Sequence, residues 1–355
     1  MAEIAFVIGT RAELIKSFPV IKSLKEVDVL ATGQHNLDFY SDLFGIDIMY
    51  LTDPPGKSSR FMGKTARAAA WAGLLIPRLA KAIEPYEKVV YHGDTMSTVA
   101  AAISAWLKKK TGIHIEAGLR SFSLMEPFPE EISRVISDRL SDVLFSVSKT
   151  ATENLRSERV KGKVIQAGNT IVDSATIAKG MFRKKVDAPR EFGVVTVHRH
   201  ENIKSRERMK KIVKIISSVN IPLLFFMHDN TRKFLKKYRL LDGIIHSENV
   251  EIRKLGAYPE FINYLSKAKI IFTDGGSVQE ESLIFKKPCF LLRMYTERID
   301  GLKTGINFLT KLNVEWTLKK AGEVLDGFEP PRFKNPYGEK GVSKKIAEHI
   351  ESFSC

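Results

Sequence analysis

Short apolar runs rich in β-branched residues recur along this chain at residues 4–8, 27–31, 89–92, 113–115, 143–147 and 164–167, with room for a helix between most neighbours. Runs of that length, bounded by turn residues, read as strands of a sheet buried on both faces. The intervening segments carry apolar residues three and four apart instead. After Thr10 the series Leu14, Ile15, Phe18, Val20, Ile21 and Leu24 marks a helix with one core-facing side, and residues 66–79 form an Ala/Leu-rich second helix interrupted by Pro77. Strand alternating with helix is the rhythm of a parallel sheet. Past Gly168-Asn169-Thr170 it restarts with residues 193–197, 222–227, 270–273 and 288–292, and residues 341–353 form a last amphipathic helix. The expected fold is α/β: two doubly wound, Rossmann-like domains, residues 1–169 and 170–338, facing a central cleft, with residues 339–355 crossing back to the first.

Composition narrows the class. A chain of 355 residues with 44% hydrophobic and 27% charged residues can build two cores, which excludes a disordered or fibrous protein. Cys289 and Cys355 alone give neither a disulfide framework nor a CxxC metal site. The N-terminus, with Glu3 and an apolar run only over residues 4–8, is not a signal peptide, and the longest other apolar stretch, residues 68–76, falls short of a bilayer. The reading is a cytoplasmic protein with no membrane contact. The net charge of +15 points to an anionic partner. The basic runs at residues 108–110, 183–185 and 236–237 lack interleaved aromatics or a nucleic-acid-binding signature, so they read as solvated helix faces.

In open parallel sheets the ligand crevice lies beyond the carboxyl ends of the strands, where this chain is dense in polar residues. Residues 6–8 run into Gly9-Thr10-Arg11-Ala12-Glu13, a tight turn into a helix N-terminus that suits a phosphate yet is neither GxGxxG nor a P-loop. Asp94 and Glu116 top two strands of one sheet. Asp94 also fits as the N-cap of the helix over residues 96–107, whereas no helix pattern starts at Glu116. Glu130 and Glu131 open a further helix. In the second half, strand ends lead into His198-Arg199-His200-Glu201-Asn202, His228-Asp229-Asn230 and Asp274-Gly275-Gly276-Ser277, the last a second anion cradle with Glu281 one turn in. The pair His198/His200 has no partner at zinc-binding spacing, so no metal is expected.

Together these strings resemble the non-hydrolysing UDP-N-acetylglucosamine 2-epimerase family, of glycosyltransferase-B fold. The match covers nearly the whole chain: GTRAELIKSFPVI (9–21), TGQH (32–35), HGDT (92–95), HIEAGLRS (114–121), PFPEEISR (127–134), GNTIVDS (168–174), VTVHRHEN (195–202), TDGGSVQEE (273–281), LRMYTER (292–298) and NPYGEKGVS (335–343). The resemblance implies interconversion of UDP-GlcNAc and UDP-ManNAc by loss of UDP to a 2-acetamidoglucal and its re-addition, without NAD, metal or other cofactor, in a homodimer. It implies Arg11 and Lys16 near the diphosphate, Asp94, Glu116, Glu130 and His198 as the catalytic group, Phe261 against the uracil, Gly275, Gly276 and Ser277 around phosphate, and Glu281 on the ribose. The chain departs from the family at Ala12 for proline, at the order Gly275-Gly276-Ser277, and at Ile299-Asp300. The glutamine by which regulated members bind an allosteric UDP-sugar is not matched by Asn36-Leu37-Asp38. The alternatives are a hydrolysing epimerase, a 2,3-diacetamido-uronate epimerase, a glycosyltransferase of the same fold, and a basic nucleic-acid-binding protein.

Overall fold

The computed structural model describes residues 2–52, 64–122 and 129–353; Cys355 and the Pro127-Phe128 start of one motif lie outside them. The chain divides into two compact units, Met1–Ser174 with Tyr337–Cys355, and Ala175–Pro336.

The first unit is built on seven strands: β1 (Ile4–Ile8), β2 (Asp28–Ala31), β3 (Met49–Tyr50), β4 (Lys88–His92), β5 (Thr111–Ala117), β6 (Val143–Ser146) and β7 (Lys163–Gln166). They lie parallel in the order β3-β2-β1-β4-β5-β6-β7. Successive side chains of a strand point to opposite faces, and β1 feeds both. Ile4, Phe6 and Ile8 join Leu14, Phe18 and Ile21 of helix Arg11–Ile21 and Val342, Ile346 and Ile350 of helix Val342–Ser352. Ala5 and Val7 join Leu75 and Leu79 of helix Lys64–Ala82 and the alanines of helix Met96–Leu107 on the other face. With both faces covered, the central strands read as unbroken apolar runs. Pro77 does not interrupt its helix, which runs through it to Ala82.

The second unit repeats the plan with β8 (Gly193–Thr196), β9 (Leu223–Phe226), β10 (Val250–Arg253), β11 (Ile270–Thr273), β12 (Cys289–Leu291) and β13 (Asn307–Leu309), parallel in the order β10-β9-β8-β11-β12-β13. Its core joins Val195, Phe225, Phe272 and Phe290 to Ile212 and Ile216 of helix Arg206–Ser218. Of the three basic runs, only Lys236-Lys237 is helical; the other two follow the C-termini of helices Met96–Leu107 and Ile171–Met181. Cations there are favoured by the helix dipole.

Candidate active site

In both units the polar residues gather at the carboxyl ends of the strands. β4 ends at His92, and Gly93 turns the chain with φ +77°, a conformation that favours glycine. The N-cap of the next helix is Thr95, which accepts the Thr98 N–H at 3.2 Å; Asp94 does not cap it. The Asp94 carboxylate instead accepts a hydrogen bond from Arg134, whose other arm reaches Glu131.

The next strand, β5, breaks register between Ile115 and Ala117, and the residue thrown out is Glu116, at φ +69°. A non-glycine residue held there costs about 1–3 kcal/mol, and such residues concentrate at functional sites. The buried Glu116 carboxylate accepts two hydrogen bonds from the buried Lys16 ammonium, at 2.6 and 2.8 Å, and one from Asn169 Nδ2 at 3.3 Å. His92 Nδ1 lies 3.5 Å from it. Burial foremost pushes the His92 imidazole down to about 3, helped by Lys16 and opposed by Glu116, so that contact is not an ion pair. A Cβ built on Gly93 would stand 3.6 Å from Glu116 Oε2, so this carboxylate hangs over the turn that carries Asp94. Glu130, half-buried, is the first residue of helix Glu130–Leu140, while Glu131 is buried and accepts from the Ser121 and Phe122 N–H groups.

The Gly9–Glu13 turn closes as a capping box. Glu13 Oε2 accepts the N–H groups of Gly9 and Thr10 at 2.7 Å each, and Thr10 Oγ1 accepts that of Glu13. Those three donors are spent inside the turn, and the exposed Arg11 side chain donates from Nε to the Asn36 carbonyl. Lys16, expected near a diphosphate, is engaged with Glu116.

In the second unit Asp274, fully buried after β11, accepts from the backbone N–H groups of His198 and Arg199 and from Asn202 Nδ2, so it fixes the turn carrying His198. Gly275 is the N-cap of helix Gly276–Ile284 and brings no capping side chain, which leaves a helix N-terminus of the kind that binds anions. His198 stands against this turn: a Cβ on Gly275 would meet its Cε1 at 3.2 Å. The ring is 41% exposed, yet the protein around it lowers its pKa, with Arg199 adding and Asp274 opposing. The His228 ring lies 4.7 Å away. The guanidinium of Arg298 lies over Gly276 and pairs with Glu280 and Glu297; Glu297 also meets Arg293 and Arg199. Glu281 is buried and accepts from the Tyr258 hydroxyl at 2.7 Å, while Phe261, on helix Tyr258–Lys267, packs edge-on to Phe226.

Thus Lys16, Glu116 and Asp94 are gathered in the first unit, where Glu130 opens the helix that carries Arg134, and His198, Gly275, Gly276, Ser277, Glu281 and Phe261 belong to the second. Arg134, Asn169, Asp274 and Arg298 sit within the recognised motifs but are not singled out by the sequence, because their roles are to hold other side chains. Among the described residues no group of three or more His, Cys, Asp or Glu side chains could hold a metal, and no helix is long and apolar enough to cross a membrane.

Two parallel-sheet α/β units in one chain, with carboxylates at the strand ends of one and an uncapped helix N-terminus on the other, are an enzyme fold of the glycosyltransferase-B type. The sequence model described as UDP-N-acetylglucosamine 2-epimerase matches residues 21–351, and the chain belongs to that family. It is 32% identical to the UDP-N-acetylglucosamine 2-epimerase of Methanocaldococcus jannaschii over 97% of both chains. A solved structure of the M. jannaschii UDP-GlcNAc 2-epimerase in complex with UDP-GlcNAc and UDP superimposes with a TM-score of 0.85 at 30% identity, over 99% of each chain. The UDP-2,3-diacetamido-2,3-dideoxy-D-glucuronate 2-epimerase of Pseudomonas aeruginosa is 29% identical over 98% of this chain and 99% of its own.

Proposed function

We propose that the protein interconverts UDP-GlcNAc and UDP-ManNAc without releasing free sugar, using no NAD and no metal. The observation that carries this reading is Glu116, a buried carboxylate on a strained backbone, hydrogen-bonded by Lys16 and set over the Asp94 turn. Inverting C2 requires removal of a weakly acidic C–H proton and its return from the opposite face, which takes two groups in different protonation states. Asp94 against Arg134, Glu116 against Lys16 and half-buried Glu130 supply three carboxylates in three environments. One takes the C2 proton as the C1–O bond breaks and its electrons leave with UDP, giving the 2-acetamidoglucal. UDP then re-adds at C1 while a second group protonates C2 on the other face. In the second unit the uncapped N-terminus of helix Gly276–Ile284, with His198 beside its turn, suits the departing diphosphate.

Incubation with UDP-GlcNAc in D₂O tests this directly. UDP-ManNAc should appear with deuterium at C2 of both sugar nucleotides. Glu116→Gln should slow exchange and turnover together by about 10²–10⁴-fold with UDP affinity retained. A protein that leaves C2 fully protonated after long incubation is not this epimerase, and accumulation of free ManNAc would mark a hydrolysing one. The Pseudomonas relative supports a second reading in which the same C2 chemistry acts on a 2,3-diacetamido-uronate; relative kcat/KM on the two sugar nucleotides separates them.

A further inference from the structure

Two residues before Glu116, His114 is fully buried on β5 and none of the chemistry above uses it. Its Nδ1 lies 2.7 Å from Asp138 Oδ1 and its Nε2 lies 2.8 Å from the carbonyl oxygen of Gly93. A carbonyl only accepts. Asp138 is likewise an acceptor: its Oδ2 takes the Gly118 N–H at 3.2 Å and lies 2.7 Å from the Arg120 guanidinium. A neutral imidazole has one N–H, so it would turn a lone pair on one of these oxygens at hydrogen-bond distance. Charge balance argues the same way. Asp138 also pairs with Arg120 at 2.7 Å, and Arg120 with Glu158, so two carboxylates face one guanidinium unless His114 carries the second positive charge. Buried charges persist where they are paired and hydrogen-bonded.

We propose that His114 is a doubly protonated imidazolium whose ion pair with Asp138 is the positioning device for both Asp94 and Glu116. His114 donates to the Gly93 carbonyl, and the Gly93 N–H donates to the Ile115 carbonyl, so the peptide leading into Asp94 is tied to β5 from both sides. Asp138 Oδ2 accepts the Gly118 N–H at 3.2 Å, which fixes the far side of the bulge that throws out Glu116. One ion pair therefore sets two carboxylates that differ in strand and in charge partner. The inference rests on the epimerase reading for its catalytic consequence and on geometry alone for the protonation state.

The protonation state is read first and without substrate. In protein labelled with ¹⁵N at its histidines, with His114→Gln supplying the assignment, both His114 nitrogens should carry hydrogen throughout pH 6–9; a single tautomer overturns the proposal. His114→Gln and Asp138→Asn should then lower kcat by about 10²-fold, the cost of a misplacement near 1 Å, with UDP affinity nearly unchanged. The double variant with Glu116→Gln should lie within about threefold of Glu116→Gln alone, because a device that acts through the carboxylates has little left to position. Losses that multiply, or that appear equally in UDP affinity and melting temperature, assign His114 to stability and overturn the positioning role. If His114→Gln does not fold, Asp138→Asn supplies the assignment through the nitrogen signals it moves, and the wild-type spectrum still decides. Wild-type protein that exchanges nothing at C2 removes the functional reading and with it the catalytic consequence, while the nitrogen spectrum separately decides the charge.

Discussion

His92 stands at the carboxyl end of β4 with its imidazole buried, 3.3 Å from the Thr170 hydroxyl and 3.5 Å from Glu116. Burial holds its pKa down at about 3, so the folded protein keeps the ring neutral while the unfolded chain takes a proton near the ordinary value of about 6.5. Its contribution to stability is complete above about pH 6.5 and is lost as the pH falls from there toward 3, at up to about 1.4 kcal/mol per unit. Urea unfolding of wild type and His92→Gln at pH 7 and pH 5 should therefore show a shallower pH dependence in the variant, and equal slopes would mean that His92 titrates normally. At this scale the sequence shows which residues matter better than what they touch. Asp94 and Glu116 are legible because acidic residues directly follow strands. That Lys16 would turn to Glu116 depends on a contact between residues 100 apart in sequence. The left-handed backbone of Glu116 leaves no trace in residue type, since neither glycine nor asparagine stands there.

Among elements, the three strands that the hydrophobic pattern does not announce are β3, β10 and β13, and each is an edge of its sheet. An edge strand is covered on fewer sides, and these carry exposed or half-buried positions where the central strands are buried throughout. Their sequences therefore lack the apolar run that marks a strand buried on both faces. Helix ends were harder to read than helix bodies. The turn before helix Arg11–Ile21 has the look of an anion cradle, and a glutamate three residues after a threonine is also a capping box, which forms here. With the Gly9, Thr10 and Glu13 N–H groups engaged internally, the Arg11 side chain is the cation this element offers UDP. Arg11→Ala should then weaken UDP affinity by roughly 10- to 100-fold, the worth of one charge-assisted contact, with the melting temperature of the free protein almost unchanged. Titration calorimetry with UDP checks this, and an unaltered Kd removes the turn from the site.

Over the whole molecule the net charge of +15 has no counterpart in the fold, which needs no such excess to close its two cores. Residues 183–185 are exposed, follow the C-terminus of helix Ile171–Met181, and are no part of the candidate site. A field of that sign draws in a diphosphate and speeds its capture, and it is weakened by salt because the screening length shrinks from about 10 Å at 0.1 M to about 3 Å at 1 M. A direct contact to the anion, such as the one proposed for Arg11, is screened less than the long-range field. The two contributions can be separated. For UDP-GlcNAc turnover, kcat/KM should fall as salt rises from 0.05 to 0.5 M while kcat stays nearly level, since the chemical step happens after capture. Replacing Arg183, Lys184 and Lys185 together by Gln should flatten that salt dependence without changing kcat, because these charges act at a distance. Should kcat/KM prove indifferent to salt in the wild type, the positive excess does not serve substrate capture. A salt-sensitive grip on nucleic acid with no effect on turnover would assign it to a different partner altogether.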